Sequence, residues 1–535
     1  MKPYSILIAS LLMVAGCCQN SVVKTGPIIS NENETAVRTA SGMVEGYLDD
    51  GIYTFKGIPY AKAERFMPPQ DPDTWIGIRE CKVYGPKAPQ NGSLVYDNSP
   101  KTAYNFGFQF NMEAQDEENC LVLNVWTPGI NDGKKRPVFV WFHGGGYAGG
   151  SGIDLPCYEG RSLAEKGDIV VVTLNHRLNV LGYIDLTALG GKYSKSVNLG
   201  QQDLVKSLEW INKNIAQFGG DPDCVTIAGQ SGGGMKVSNV MAMPSATGLY
   251  HRAVVQSGTI LTAGAKEDSQ KLGLYTIEEM GLTPETMDKA ADIPYAEVAA
   301  AGDRALARCI AEAGGNGPLF GRFSFGCIED GEIICQQPFA NGAPEISKDV
   351  PMLIGTNLNE FTYANDVEHS AAEVKEILTK KLGAEKAESF IAEYEKVYPG
   401  QPDKAMLYSE FGARGRALEQ ARIKNAQGGA KAYVYLFTWQ SPVDNGALGA
   451  CHGMELPFMF NNVKLQREMT GATKEAYELE DKITNAWIAF IKTGDPNAKG
   501  LPKWDSFDEK GATMVFDNKC EVRYNHDKEL VRLAN

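Results

Sequence analysis

The sequence predicts an α/β protein built on a doubly wound, mainly parallel β-sheet flanked by helices. Residues 137–142 and 169–174 are short, continuously apolar runs bounded by turn residues, which is typical of strands covered on both faces. Between the second run and a third at 225–228, apolar residues recur at three- and four-residue intervals along 199–218, as in an amphipathic helix. Strands that alternate with helices indicate a parallel sheet.

The remaining elements follow the same alternation. Further buried strands are predicted at 253–255, 352–354 and 433–437, edge or hairpin strands at 51–57 and 120–125, and helices at about 371–397 and 473–492. No repeat or low-complexity linker interrupts the chain from about residue 35 onward. We therefore expect a single domain over 35–535, enlarged by insertions between its strands.

Composition excludes some ligand classes. The chain carries 52 Lys and Arg against 66 Asp and Glu, a formal net charge of −14. Nucleic acids and anionic lipid surfaces select for basic patches, so neither is expected as the main ligand. A small molecule is the more natural partner, and the charge leaves the oligomeric state open.

The N-terminus predicts export. Lys2 precedes an apolar run at 6–15 that is too short to span a bilayer comfortably. The break at Val14-Ala15-Gly16-Cys17 resembles the lipobox of bacterial lipoproteins, in which the cysteine is acylated and becomes the mature N-terminus. This implies a signal peptide at 1–16, lipidated Cys17, a polar tether at 17–34 and a place in the bacterial cell envelope, on the periplasmic or outer-membrane face. The alternative is a plain signal peptide.

Ser231 is the candidate nucleophile. It stands in the only G-x-S-x-G match of the chain, at 229–233, directly after the strand at 225–228 and before a helix-compatible run at 235–243. A nucleophile elbow of the α/β-hydrolase fold needs this strand–turn–helix context and small residues on both sides of the serine. The alternative is a glycine-rich turn whose serine has no catalytic role.

An oxyanion loop is predicted one strand unit upstream. His143-Gly144-Gly145-Gly146 follows the strand that ends at Phe142. Glycines allow backbone N–H groups to turn inward, and the N–H groups of Gly145, Gly146 and Gly232 would stabilise an oxyanion. The alternative is a flexible glycine loop.

The base is found by elimination, because the chain has only six histidines. In this fold the order along the chain is nucleophile, acid, base, which leaves His369, His452 and His526. His369 and His526 stand in polar segments and are expected to be solvated, whereas His452 lies in a small-residue loop after the strand at 433–437. Glu360 is the candidate acid, since it follows the strand at 352–354 through a short loop, where α/β sheets collect their sites.

The chain resembles the type-B carboxylesterases, which include the cholinesterases and bacterial para-nitrobenzyl esterases. The matching segments run in family order over nearly the whole mature chain: 55–61, 118–128, 141–146, 175–178, 218–222, 229–233, 250–258, 355–360 and 449–456. The resemblance implies that Glu360 and His452 complete a triad with Ser231. It also implies that Ser257 is a buried serine that supports the triad's surroundings, and that no metal or cofactor is needed.

Three positions depart from the family pattern. Gln230 stands where the family commonly has Glu, which argues against a preference for cationic, choline-like esters. Gly232 replaces a common Ala but keeps the N–H. Cys120 matches a family cysteine whose usual partner position holds Ala88, so Cys81 becomes the candidate partner for a disulfide of roughly 3–4 kcal/mol.

The predicted function is hydrolysis of a carboxylic ester through an acyl-enzyme, with Ser231, His452 and Glu360 as nucleophile, base and acid. The same triad could serve a lipase, a thioesterase or an acyltransferase. A binding protein on this fold is the other alternative, although such relatives lack the serine or histidine that is present here.

Overall fold

An 11-stranded sheet organises the fold. The computed structural model describes residues 26–90, 114–315, 322–361 and 369–535. The strands are β1 Ala36–Arg38, β2 Met43–Glu45, β3 Tyr47–Asp49, β4 Ile52–Pro59, β5 Ile78–Glu80, β6 Val122–Thr127, β7 Arg136–Phe142, β8 Val170–Leu174, β9 Gly220–Gln230, β10 Arg252–Gln256, β11 Gly264–Ala265, β12 Ile328–Glu329, β13 Met352–Asn357, β14 Ala432–Phe437, β15 Ala512–Phe516 and β16 Glu521–Tyr524. The strand order of the large sheet is β16-β15-β14-β13-β10-β9-β7-β8-β6-β4-β3.

Helices follow the strands and cover the sheet. Those of the described residues are α1 Glu32–Thr35, α2 Arg161–Gly167, α3 Asn179–Tyr183, α4 Leu199–Asn214, α5 Gly232–Val240, α6 Lys266–Glu279, α7 Tyr295–Glu312, α8 Ala371–Leu382, α9 Ala384–Val397, α10 Ala405–Tyr408, α11 Phe411–Ala426, α12 Leu456–Met459, α13 Arg467–Thr470, α14 Lys474–Thr493 and α15 Lys528–Ala534. The helix predicted at 371–397 is two helices, because Gly383 adopts φ +84° between them.

The sheet is parallel in its centre and antiparallel at both edges. From β8 to β15 every neighbouring pair is parallel, whereas β3, β4 and β6 form an antiparallel edge and β16 closes the other edge. The predicted α/β class is therefore confirmed. The strands expected at the edge from 51–57 and 120–125 correspond to β4 and β6.

Both faces of the sheet are covered, as the continuously apolar runs require. Phe139 and Trp141 of β7 belong to one buried apolar cluster, and Val138 and Val140 belong to a second. Because side chains alternate along a strand, the two clusters lie on opposite faces. Burial on both faces fixes the central strands, and so it fixes the carboxyl edge from which the site residues project.

The N-terminal boundary of the folded part differs from the sequence prediction. Ile29 pairs with Leu48 of β3 through hydrogen bonds of 2.9 and 2.8 Å, and α1 follows at Glu32–Thr35. Part of the segment assigned to the tether at 17–34 is therefore joined to the domain. The predicted signal peptide at 1–16 and the predicted lipidation site Cys17 lie outside the described residues.

The predicted Cys81–Cys120 disulfide is absent, because both residues are buried free thiols. The sulfur of Cys120 contacts the carbonyl of Glu117 at 3.5 Å, while the backbone of Cys81 is hydrogen-bonded to Glu45 and Lys56. Burial raises the pKa of Cys81 to about 12 and raises that of Cys120 further, which keeps both thiols protonated and unreactive. The two side chains instead pack in one apolar cluster.

Candidate active site

Ser231 occupies a strained turn between β9 and α5. Its backbone has φ 56° and ψ −127°, a region that residues with a side chain rarely adopt. The Ser231 N–H donates to the carbonyl of Gln256, at the end of the neighbouring strand β10, over 2.8 Å. The serine is half-buried between buried neighbours, as a nucleophile elbow at the carboxyl edge of the sheet would place it.

Two glycines after the serine are required by close backbone contacts. A Cβ at Gly232 would lie 2.3–2.4 Å from the backbone of Gly146, and one at Gly233 would lie 2.1 Å from the carbonyl oxygen of Phe142. Real Cβ atoms do not approach other atoms this closely. The elbow and the glycine loop after β7 are therefore in direct backbone contact, and Gly232, the departure from the family pattern, lies at that contact.

The glycine loop after β7 presents free amides. Gly145 and Gly146 have φ +83° and +61°, and the carbonyl of Gly145 accepts from the N–H groups of Ala148 and Gly149. Within the described part of the chain, the N–H groups of Gly145, Gly146 and Gly232 donate to no protein atom. The structure thus brings the predicted oxyanion donors together beside Ser231.

His452 and Glu360 form a hydrogen-bonded pair. His452 Nδ1 lies 2.5 Å from Glu360 Oε2, and the His452 N–H donates to the Glu360 carbonyl over 2.9 Å. The other carboxylate oxygen, Oε1, accepts from the N–H of Asn357 at 2.9 Å. Glu360 is 2% exposed, so its carboxylate is fixed by these donors rather than by water.

Electrostatics around this pair favour a proton on the imidazole. Burial alone lowers the pKa of His452, but the charge of Glu360 and its hydrogen bond outweigh burial, with a smaller contribution from Glu455, so the net pKa is raised. The ring of Phe361 stacks on His452 with centroids 5.4 Å apart. A histidine held in this way can accept a proton at Nε2 while Nδ1 stays bonded to the carboxylate.

The strand order explains why these residues meet. Ser231 follows β9, Glu360 follows β13, and His452 lies in the loop after β14; β10 lies between β9 and β13. These strands are parallel, so their carboxyl ends share one edge of the sheet. Ser231 and His452 are not hydrogen-bonded to each other in this structure, and contacts of this kind often tighten only when substrate binds.

A buried polar network behind the pair was not predicted. Glu455 is 1% exposed and accepts hydrogen bonds from the amides of Gln256 at 3.1 Å and Asn357 at 2.6 Å. Burial, aided by the Glu360 charge, raises the pKa of Glu455 to about 7. The Ser231 N–H donates to the carbonyl of Gln256. The network therefore joins the elbow to the Glu360–His452 pair. The only sequence signal was that Glu455 lies within the matching segment 449–456.

Gln230 is buried next to these residues, whereas Ser257 is half-buried with its hydroxyl oxygen enclosed. Gln230 is 4% exposed and its Nε2 has no hydrogen-bond partner among the described residues. The Ser257 hydroxyl likewise has none there, although its backbone N–H donates to the carbonyl of Gly355 at 2.8 Å with φ 44°. The departure at Gln230 therefore places a neutral amide, not a carboxylate, beside Ser231.

Four of the other histidines lie in structural positions. The rings of His143 and His176 stack with centroids 4.7 Å apart, and burial holds the pKa of both well below its usual range. The Nδ1 atom of His251 accepts from the backbone of β9. The expectation that His526 is solvated is wrong: its side chain is only 10% exposed, beside Tyr398, and burial lowers its pKa to about 4.

The described residues contain no group of three or more His, Cys, Asp or Glu that could hold a metal ion. No described helix combines the length and apolar character needed to cross a bilayer.

The chain is similar to known proteins over most of its length. The model of the Carboxylesterase family matches residues 33–532. The para-nitrobenzyl esterase of Bacillus subtilis (strain 168) is 31% identical over 509 residues, which cover 92% of this chain and 97% of the esterase. The phenmedipham hydrolase of Pseudarthrobacter oxydans is 32% identical over 512 residues, covering 90% of this chain and 95% of the hydrolase.

A solved structure extends the likeness to three dimensions. It is described as an esterase from anaerobic Clostridium hathewayi that can hydrolyze aliphatic aromatic polyesters; it is 36% identical, has a TM-score of 0.84, and the match covers 95% of this chain and 99% of that one. The chain therefore belongs to the carboxylesterase family and is a serine carboxylic-ester hydrolase with the α/β-hydrolase fold.

Proposed function

We propose that the chain hydrolyses small carboxylic esters through an acyl-enzyme formed on Ser231, with His452 as general base and Glu360 as its orienting acid. The observation that carries this proposal is the 2.5 Å contact between His452 Nδ1 and Glu360 Oε2 at the sheet edge where Ser231 stands in a strained elbow. Neither feature is required for packing alone.

The reaction has two acyl-transfer steps. The Ser231 oxygen attacks the ester carbonyl while His452 Nε2 accepts the hydroxyl proton, and Glu360 stabilises the imidazolium that forms. The alcohol then leaves with the proton from His452. In the second step, water attacks the acyl-serine with His452 again as base, the acid is released and Ser231 regains its proton.

The oxyanion of each tetrahedral intermediate would bind the amides of Gly145, Gly146 and Gly232. Their freedom from internal hydrogen bonds within the described part of the chain supports this role. Amides that are already oriented cost no reorganisation when the charge develops, and removing one such donor from a serine hydrolase costs about 10²–10³ in rate.

The substrate class that we propose is neutral esters, including those with aromatic groups. Gln230 places no charge beside the nucleophile, and Phe361, which is 47% exposed, stacks on His452, where it would contact the leaving alcohol or its surroundings. The relatives named for para-nitrobenzyl esters and for aliphatic aromatic polyesters are compatible with that choice.

The experiment is a rate panel of p-nitrophenyl and benzyl esters with acyl chains of two to sixteen carbons, with and without an acceptor alcohol. The proposal expects a burst of one alcohol per enzyme, with short and aromatic esters hydrolysed fastest. Preference for long chains only above their solubility limit would indicate a lipase, faster thioester turnover a thioesterase, and ester exchange that exceeds hydrolysis an acyltransferase. His452→Gln should abolish turnover. The control is His526→Gln, because His526 is also largely enclosed but packs beside Tyr398, outside the site.

We also propose that the protein is exported and anchored through lipid on Cys17, which rests on the sequence alone. Incorporation of labelled palmitate into the wild type, but not into Cys17→Ala, would support the anchor. Equal absence of label from both proteins, with both found free in the periplasm, would favour a plain signal peptide.

A further inference from the structure

Lys236 is a buried amine that the reaction scheme does not use. It lies on α5, the helix that begins directly after Ser231, and it is 0% exposed. No carboxylate of the described residues lies within ion-pair distance of its Nζ, and burial lowers the pKa of Lys236 to about 7. A buried lysine without an ion pair is costly and needs a reason.

Among the described residues, this amine makes one hydrogen bond, and that bond goes to the oxyanion loop. Lys236 Nζ donates to the carbonyl of His143 at 3.0 Å, the residue that directly precedes Gly144. The ring of the same histidine stacks on His176, and its Nδ1 lies 2.9 Å from the carbonyl of Gly144. The first residue of the loop is thus held by a side chain of the helix that begins directly after the nucleophile.

The loop needs such an attachment, because consecutive glycines restrain their own backbone poorly. Gly146 contacts Gly232 closely, but contact alone only prevents approach and does not prevent the loop from moving away. The hydrogen bond from Lys236 acts in the opposite sense, since it draws the start of the loop toward α5. Together the two contacts define the distance between the loop amides and Ser231.

We propose that Lys236 is a positioning residue that fixes the oxyanion loop relative to Ser231, an inference that rests on the proposed function of both. Lys236 itself does not touch the substrate. Displacement of catalytic groups by about 1 Å can cost a hundredfold in rate, so loss of this bond should weaken binding of the transition state more than binding of the substrate.

The test compares Lys236→Met with Lys424→Met. Lys424 is a matched control, because it is also a buried lysine whose Nζ donates to backbone carbonyls, those of Ser347 and Lys348 at 2.9 and 2.6 Å, outside the site. For each folded variant, kcat, KM, the affinity for an alkyl boronic acid that forms a tetrahedral anion on serine, and the affinity for a non-hydrolysable ether analogue of the substrate are measured.

For Lys236→Met we expect kcat to fall about tenfold to a hundredfold, with KM and ether affinity within about threefold of the wild type. The boronic acid should lose affinity by the same factor as kcat/KM, because both report the oxyanion donors. Lys424→Met should lose thermal stability without any of these changes. If Lys236→Met does not fold, Lys236→Ala, which also removes the donor, is measured in the same way.

The proposal is overturned if a folded Lys236 variant keeps wild-type kcat/KM, if it loses boronic acid and ether affinity equally, or if Lys424→Met shows the same kinetic loss. These outcomes are separate from failure of the proposed function. That failure would appear as activity retained by Ser231→Ala, whatever Lys236→Met does.

Discussion

The two halves of the site are held by different kinds of contact. The elbow and the oxyanion loop, at 229–236 and 143–146, are held mainly by backbone packing at Gly232 and Gly233. The Glu360–His452 half is held by side-chain hydrogen bonds that run through Asn357 and Glu455. The first half is therefore set by how closely two backbone segments from neighbouring strand ends approach each other, and the second by hydrogen bonds between side chains.

Because of this difference, the two halves should respond differently to substitution. In the half formed by the elbow and the oxyanion loop, an added methyl group should displace the oxyanion-binding amides. The atoms that it would meet belong to the backbone, so no side chain can rotate away to make room. In the Glu360–His452 half, replacement of a glutamate by glutamine should keep the shape of the side chain and remove its charge.

Removal of the nucleophile should have the largest effect. Ser231→Ala deletes the attacking oxygen and should lower kcat by at least about 10⁴-fold, measured as release of p-nitrophenol from a short ester. Ser238→Ala, on the same helix and bonded to the carbonyl of Gly234, is the matched control. Activity of Ser231→Ala within about tenfold of the wild type would exclude Ser231 as nucleophile.

Glu360→Gln should come next, with kcat reduced by about 10³- to 10⁴-fold. The amide cannot stabilise the imidazolium. It also removes the charge that raises the pKa of His452, and His452 must be neutral to act as base. The wild-type rate should fall as pH drops through a value above the usual histidine pKa, and in Glu360→Gln this acidic limb should move to lower pH.

The control for that profile is Glu480→Gln. Glu480 is another largely buried glutamate, and it accepts from the N–H of Val463 at 2.7 Å, outside the site. Its replacement should leave the pH profile in place. An acidic limb unchanged in Glu360→Gln would mean that Glu360 does not govern the ionisation of His452.

Gly232→Ala should cost about tenfold to a hundredfold in kcat. Its Cβ would meet the backbone of Gly146 at 2.3–2.4 Å, so the oxyanion loop must move outward. Affinity for a boronic acid should fall in parallel with kcat/KM. Full activity in the Gly232→Ala enzyme would show that the loop tolerates a wider position.

Glu455→Gln should give the smallest effect. Glu455 contributes less than Glu360 to the raised pKa of His452, so the acidic limb should shift in the same direction by a smaller amount. The plateau rate should change far less than in Glu360→Gln. A rate loss equal to that of Glu360→Gln would place Glu455 in the catalytic machinery itself.

The same comparison explains what the sequence could predict. The central strands and the elbow follow from continuous apolar runs and from glycines next to Ser231, which are local signals. His452 could be identified as the base because the chain has only six histidines. Glu360 needed both its place after a strand and the family resemblance, since many carboxylates lie between Ser231 and His452.

The residues that the sequence did not reveal and the predictions that were wrong have a common physical cause. Glu455 and Lys236 were missed because their roles depend on burial against distant segments, which periodicity does not reveal. His526 was expected in solvent because its neighbours in sequence are polar, yet it packs against Tyr398 beside the buried ion pair of Arg414 and Asp527. The prediction of a Cys81–Cys120 disulfide was wrong, because two cysteines can share an apolar cluster without a covalent bond between them.

The most direct test of the account is covalent labelling of the nucleophile. An organofluorophosphonate reacts with a serine that is activated by a neighbouring histidine and forms a stable adduct there. We expect intact mass to show one adduct per wild-type chain, peptide mapping to place it on Ser231, and His452→Gln to label far more slowly. A full adduct on another residue, or one that persists in Ser231→Ala, would contradict the account.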